Sequence, residues 1–163
     1  MIEILKAPPV SGGYKEFKFD AVGDCTWVKF SSEHGVVVGI FGNAGLPESS
    51  VTLFNDDKHV LVLASGQGYI LELASMKLTY KTEINYLSHA KAILNTDLIA
   101  VGDFFSVYMF APAGLVWAAE RIAKDDLKIK KATSKLISGT FWTGTQISDF
   151  SLDITSIVKL LEH

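Results

Sequence analysis

Short apolar stretches alternate along this chain with clusters of turn-forming residues. The clusters recur roughly every 8–12 residues, the spacing expected of an all-β fold built from short strands. The central region shows the pattern most plainly. Val51, Thr52, Leu53 and Phe54 lead into Asn55-Asp56-Asp57-Lys58, a turn cluster. Residues 59–64 form a second predicted strand, closed by Ser65-Gly66-Gln67-Gly68, and residues 69–73 a third, with Ala74-Ser75-Met76 turning into residues 77–81. Residues 14–19, 25–30 and 35–41 predict strands at the start of the chain, and residues 126–130, 136–141, 147–152 and 157–160 towards its end. The segment from Tyr86 to Leu94 is ambiguous. Leu87, Ala90 and Leu94 lie at helical spacing, whereas the repeat described next requires a strand in its second half.

The layout of residues 61–80 recurs at residues 98–117. Leu61-Val62-Leu63-Ala64-Ser65-Gly66 aligns without gaps on Leu98-Ile99-Ala100-Val101-Gly102-Asp103, an offset of 37. Ile70 then falls on Val107, Leu73 on Phe110, Leu78 on Leu115 and Tyr80 on Trp117. Self-similarity at 20–50 residues marks repeat architectures. In these two segments the chain resembles β-propeller blades of the WD-repeat or quinoprotein-like type: strand, glycine-containing turn, strand, tight turn, strand ending in an aromatic. The resemblance covers about a quarter of the chain, and neither unit carries the Gly-His…Trp-Asp signature. It implies four-stranded units, of which four would make the smallest propeller in the usual range of roughly 4–8 blades. The same antiparallel meander of short hairpins is compatible with a two-sheet sandwich or an open barrel, and with at most one or two short helices.

Composition agrees with sheet. Val, Ile, Thr, Phe, Trp and Tyr supply 54 of 163 residues. Hydrophobic residues are 48% and charged residues 20%, which excludes a disordered chain. The expected organisation is a single β domain over residues 1–160, with 161–163 (Leu-Glu-His) reading as an expression-tag remnant. A net charge of −3 argues against a nucleic-acid partner. No apolar run reaches the ~18 residues of a membrane-spanning helix, and the N-terminus lacks the apolar stretch of a signal peptide. A single cysteine, Cys25, fits a reducing compartment, so a cytoplasmic location is expected.

Candidate chemistry is sparse. Cys25 beside Asp24, with His34 nine residues on, is raw material for a thiol nucleophile; its alternating context, Cys25-Thr26-Trp27-Val28, reads as a strand with a buried thiol. His34, His59 and His89 match no metal-ligand spacing, and no cofactor or metal is expected. The pairs Asp56-Asp57 and Asp125-Asp126 read as turn and strand-entry residues, because neighbours on a strand point to opposite faces. Neither a phosphate-binding glycine loop nor a Gly-x-Ser-x-Gly elbow is present. Lys124, Lys128, Lys130, Lys131 and Lys135 read as the solvent face of a strand.

Two groups stand out. Phe104, Phe105 and Tyr108 follow the Gly102-Asp103 turn; a strand there would place Phe105, Val107 and Met109 on one face and Phe104, Ser106, Tyr108 and Phe110 on the other. Both faces being apolar, the strand is expected to be covered on both sides or to present a patch to a protein partner or a second copy. Arg121 is the only arginine, suited to bidentate capture of a carboxylate or phosphate, and with Asp103 it marks a candidate ligand site. No motif names a function. The expectation is a non-catalytic binding or scaffolding module for a protein partner. The alternatives are a small enzyme or ligand binder with a pocket around Arg121, and an acidic immunity- or inhibitor-type protein.

Overall fold

The computed structural model describes residues 1–10, 13–32 and 35–161. The chain lays down four small sheets in sequence. The first comprises β1 (Ile2–Leu5), β2 (Lys15–Phe19), β3 (Cys25–Ser32) and β4 (Gly35–Gly42), in the order β1-β3-β4-β2. The second is β5 (Ser50–Leu53), β6 (His59–Ala64), β7 (Gln67–Glu72) and β8 (Lys77–Lys81), and the third β9 (His89–Ala92), β10 (Ile99–Gly102), β11 (Val107–Ala111) and β12 (Gly114–Ala119); both run in simple sequence order. The fourth has three strands, β13 (Asp125–Ala132), β14 (Leu136–Trp142) and β15 (Ile147–Asp153), followed by α1 (Thr155–Leu161). The protein is therefore all-β with one short helix, and its strand pairs are antiparallel except β2 with β4. The sheets are four rather than the two of a sandwich, and none closes into a barrel.

Burial sets the order of the sheets. In β6, Val60 and Val62 face the first sheet, where they meet Phe19, Val28, Phe30 and Phe41. Leu61 and Leu63 face the third, where they meet Ile99, Val101, Tyr108 and Phe110. The other face of the third sheet, with Ala100, Val107 and Met109, packs on Leu127, Ile129 and Ile137 of the fourth. The second and third sheets are thus covered on both sides, which is why their central strands read as unbroken apolar runs. Each fully buried large side chain in these layers contributes roughly 1.5–3 kcal/mol. The first strands lie at a common edge, β1 beside β5, β5 beside β9 and β9 beside β13, so the four blade-like sheets fan out from that line.

Polar groups tie the layers together. The Tyr69 hydroxyl donates to the Gly42 carbonyl at 2.9 Å, joining the second sheet to the first. Burial, with Asp20 and Cys25 nearby, pushes that phenol up to about 12, so it remains a donor. Gln67 Nε2 donates to the carbonyl and hydroxyl oxygens of Thr82 at 2.7 and 2.8 Å, closing the inner end of the second sheet.

Several expectations need correction. The repeat is real in strand order and pairing, but its register is not the gap-free 37. Leu61 pairs with Ile70, which pairs with Tyr80; Ala100 pairs with Met109, which pairs with Trp117. The inner strands therefore correspond at an offset of 39 and the outer ones at 37. The turn before β12 is two residues shorter than the turn before β8. A slip of two keeps every side chain on its face, so alternation alone was blind to it. Residues 86–94 hold the strand β9 and no helix. The helix lies instead where residues 157–160 were expected as a strand, because Ile154 and Val158 cap the core between the third and fourth sheets. Phe104 and Phe105 precede β11 rather than belonging to it, so Phe105 is not in a row with Val107 and Met109 and is 44% exposed.

Candidate functional site

The four residues from Asp103 to Ser106 connect β10 to β11 around the Asp103 carboxylate. Asp103 Oδ1 accepts from the backbone N–H groups of Phe105 at 2.7 Å and Ser106 at 2.6 Å, and Oδ2 accepts from the Tyr108 hydroxyl at 2.9 Å. Such self-bonded aspartates build turns. Burial raises the Tyr108 phenol, Ser106 opposes this, and the bond to Asp103 adds to it. The backbone N–H of Arg121 donates to Ser106 Oγ at 3.1 Å. The structure thus brings Asp103, Tyr108 and the Arg121 backbone together. The Arg121 side chain, however, is exposed on a left-handed turn residue (φ 54°) and lines neither cleft described below.

Of the described residues, His59 and His89 are committed to the fold. His59 Nδ1 lies 2.6 Å from Asp56 Oδ2, while Asp56 Oδ1 accepts from the N–H groups of Lys58 and His59 at 2.9 and 3.0 Å. Burial raises the Asp56 carboxyl, but these bonds outweigh it and leave it below its ordinary value. His89 Nε2 accepts from the Ile129 N–H at 2.8 Å, so that nitrogen carries no proton in the neutral ring. The proton is then on Nδ1 and is shared with Ser88 Oγ at 2.7 Å, whose own hydrogen goes to the Gly102 carbonyl at 3.1 Å. Cys25 is half-buried in β3, and its proposed partner His34 lies outside the described residues. No group of three His, Cys, Asp or Glu able to hold a metal occurs among the described residues. Nor is any helix among them long and apolar enough to cross a membrane.

Two clefts remain. The smaller, about 630 Å³, runs along β9 and β13, past Ser88, His89, Lys91, Phe104 and Lys128. The larger, about 1020 Å³, opens where the first and second sheets splay apart. Phe17, Phe30, Val37, Val51, Leu53 and Met76 form its apolar walls, and Lys15, Asp57, Lys58 and Glu72 lie at its rim. Lys15 sits 4.8 Å from the centre of the Phe17 ring, a cation–π contact that holds an ammonium over an aromatic wall. None of these residues carried a motif in the sequence. Each is an ordinary alternating strand or turn residue, and only the divergence of two sheets makes the cleft.

No family model matches the sequence. No curated protein matches it either. Among solved structures, the crystal structure of the N-terminal domain of Nup159 is similar at a TM-score of 0.40 and 12% identity. That alignment covers 91% of this chain and 47% of the other, so the chain spans about half of that structure's length.

Proposed function

We propose that this protein is a non-catalytic binding module, with a propeller-like scaffold, that takes apolar side chains of a protein partner into the cleft between its first and second sheets. The observation that carries this reading is the character of that cleft: apolar walls, a rim of two lysines and two acids, and an open mouth. Its volume of about 1020 Å³ stands at the upper end of ligand pockets, roughly 300–1,000 Å³. An open groove of that size suits several side chains of a polypeptide segment, with buried anchors and a charged rim. Asp56, His59, His89, Asp103 and Tyr108 are bonded to one another or to backbone.

The test is selection of peptides from a random library against the intact protein, followed by binding measurements on the Leu53→Asp variant. Leu53 is 44% exposed on the cleft wall, so the substitution spares the core. Selected peptides with apolar anchors should lose about tenfold or more in affinity, since one buried leucine contributes roughly 1.5–3 kcal/mol. Binding unchanged by Leu53→Asp would overturn the proposal.

A further inference from the structure

Among the described residues the fourth sheet has one strand fewer than its neighbours. The other three have four strands each, and it has β13, β14 and β15. The consequence is visible in the neighbouring sheet. Tyr80 on β8, the outer strand of the second sheet, lies over Gly114 at the start of β12, the outer strand of the third. Trp117 is the counterpart of Tyr80, since each pairs with the matching residue of the strand before it, Met109 or Ile70. Trp117 points towards the fourth sheet and packs at the margin of the core there, half-buried. Among the described residues the fourth sheet has no outer strand to lie beneath it.

The edge of β15 is ready for pairing. The Thr143 N–H donates to the Gln146 carbonyl at 2.9 Å, and the Ile154 N–H to the Lys135 carbonyl at 3.0 Å. These bonds fix which pairs of the β14–β15 ladder are hydrogen-bonded, because bonded and non-bonded pairs alternate in an antiparallel ladder. With the observed register, Ser148, Phe150 and Leu152 bond to β14. Ile147, Asp149 and Ser151 therefore turn their N–H and C=O groups away from it. All three are exposed, Ile147 at 71%. Such an edge is a template for an added strand.

Charge selects the occupant. The side chains of Ile147, Asp149, Ser151 and Asp153 share the outer face, and Asp149 is in no ion pair among the described residues. A second copy pairing antiparallel through β15 would bring two pairs of carboxylates onto one face, and like charges opposite one another are destabilising. A strand with lysine or arginine on that face would instead be attracted.

We propose that the outer edge of β15 takes up an extended segment of a partner protein by strand addition, with alternating basic and apolar residues. The basic side chains meet Asp149 and Asp153, and the apolar ones continue the layer formed by Trp117 and Phe150. This surface is at the opposite end of the row of sheets from the cleft proposed above, and does not depend on it.

The experiment uses the intact protein and labelled peptides of alternating valine and lysine, with alternating valine and glutamate as the control. Fluorescence anisotropy should show the lysine peptide binding, more weakly as salt is added, and the glutamate peptide not binding. On binding, amide hydrogens of Ile147, Asp149 and Ser151 should exchange more slowly. Ser151→Pro removes an N–H that points away from β14, which an edge strand tolerates; it should weaken binding by about tenfold, the loss of a hydrogen bond and of strand fit. Asp149→Lys should weaken the lysine peptide and admit the glutamate one. Leu53→Asp should change nothing. No binding of the lysine peptide, or binding indifferent to both Ser151→Pro and Asp149→Lys, overturns the proposal. So does a dimer at working concentration that Ser151→Pro dissolves, since the edge would then belong to a second copy.

Discussion

His89 Nε2 accepts a hydrogen bond from the Ile129 N–H at 2.8 Å, across the seam between the third and fourth sheets. The bond exists only while the ring is neutral, because a protonated Nε2 would face another donor. Burial lowers the pKa of His89 from its ordinary 6.5, and the positive charges of Lys128 and Lys91 lower it further, against a smaller opposing effect of Asp126. Below pH ~6.5 the unfolded chain therefore binds this proton more readily than the folded one. The stabilisation is complete above that pH and is lost as pH falls towards the folded pKa. Thermal unfolding between pH 7.5 and about 5 should show this loss, and His89→Gln, whose amide oxygen can still accept from Ile129, should show a shallower slope over the same range. Equal slopes would mean that His89 does not titrate as the seam opens.

Phe110 and Phe105 lie five residues apart and should behave in opposite ways. Phe110 is fully buried between the second and third sheets, with its ring 6.2 Å from that of Tyr80. Phe110→Ala should cost about 3–5 kcal/mol in denaturant unfolding. Phe105 is 44% exposed in a turn, and Phe105→Ala should cost about 1 kcal/mol or less. Similar losses for the two would contradict the placement of Phe105 outside β11.

The Asp103 carboxylate organises that turn by accepting from two backbone N–H groups and the Tyr108 hydroxyl. Asp103→Ala should destabilise the protein by about 1–3 kcal/mol. Tyr108→Phe removes only one of these bonds and should cost less. If the two variants are equally stable, the backbone bonds to Asp103 contribute nothing.

Gly139 has a steric role. A Cβ there would stand 1.9 Å from the Lys128 carbonyl oxygen on the neighbouring strand. Gly139→Ala should force β13 and β14 apart and cost about 1–3 kcal/mol. Amide exchange should show the loss concentrated at the β13–β14 ladder.

Much of the fold was legible in the chain. Turn clusters such as Asn55-Asp56-Asp57-Lys58 act locally, so they marked the hairpin between β5 and β6 correctly. The apolar run of residues 59–64 was read as a strand, and it is β6, buried on both faces. At Phe104 and Phe105 the reading failed, because the Asp103 carboxylate takes the N–H groups of Phe105 and Ser106 and β11 begins only at Val107. The candidate cleft was not legible: Lys15 and Phe17 are neighbours on one face of β2, but Leu53 and Met76 lie far from them in sequence, and no local spacing relates the three segments.

The sequence by itself determined most of the strands and turns and which faces are apolar, though not β1 or the helix, because alternation and turn chemistry act over a few neighbouring residues. The tertiary structure decided the rest. It placed β2 parallel to β4 at the outer edge of the first sheet, which no local pattern encodes. It set the repeat register at 39 for the inner strands, since a shift of two residues preserves every face and only packing between sheets can choose. And it set Ile154 and Val158 into the core between the third and fourth sheets, where burial against residues distant in sequence holds the segment after β15.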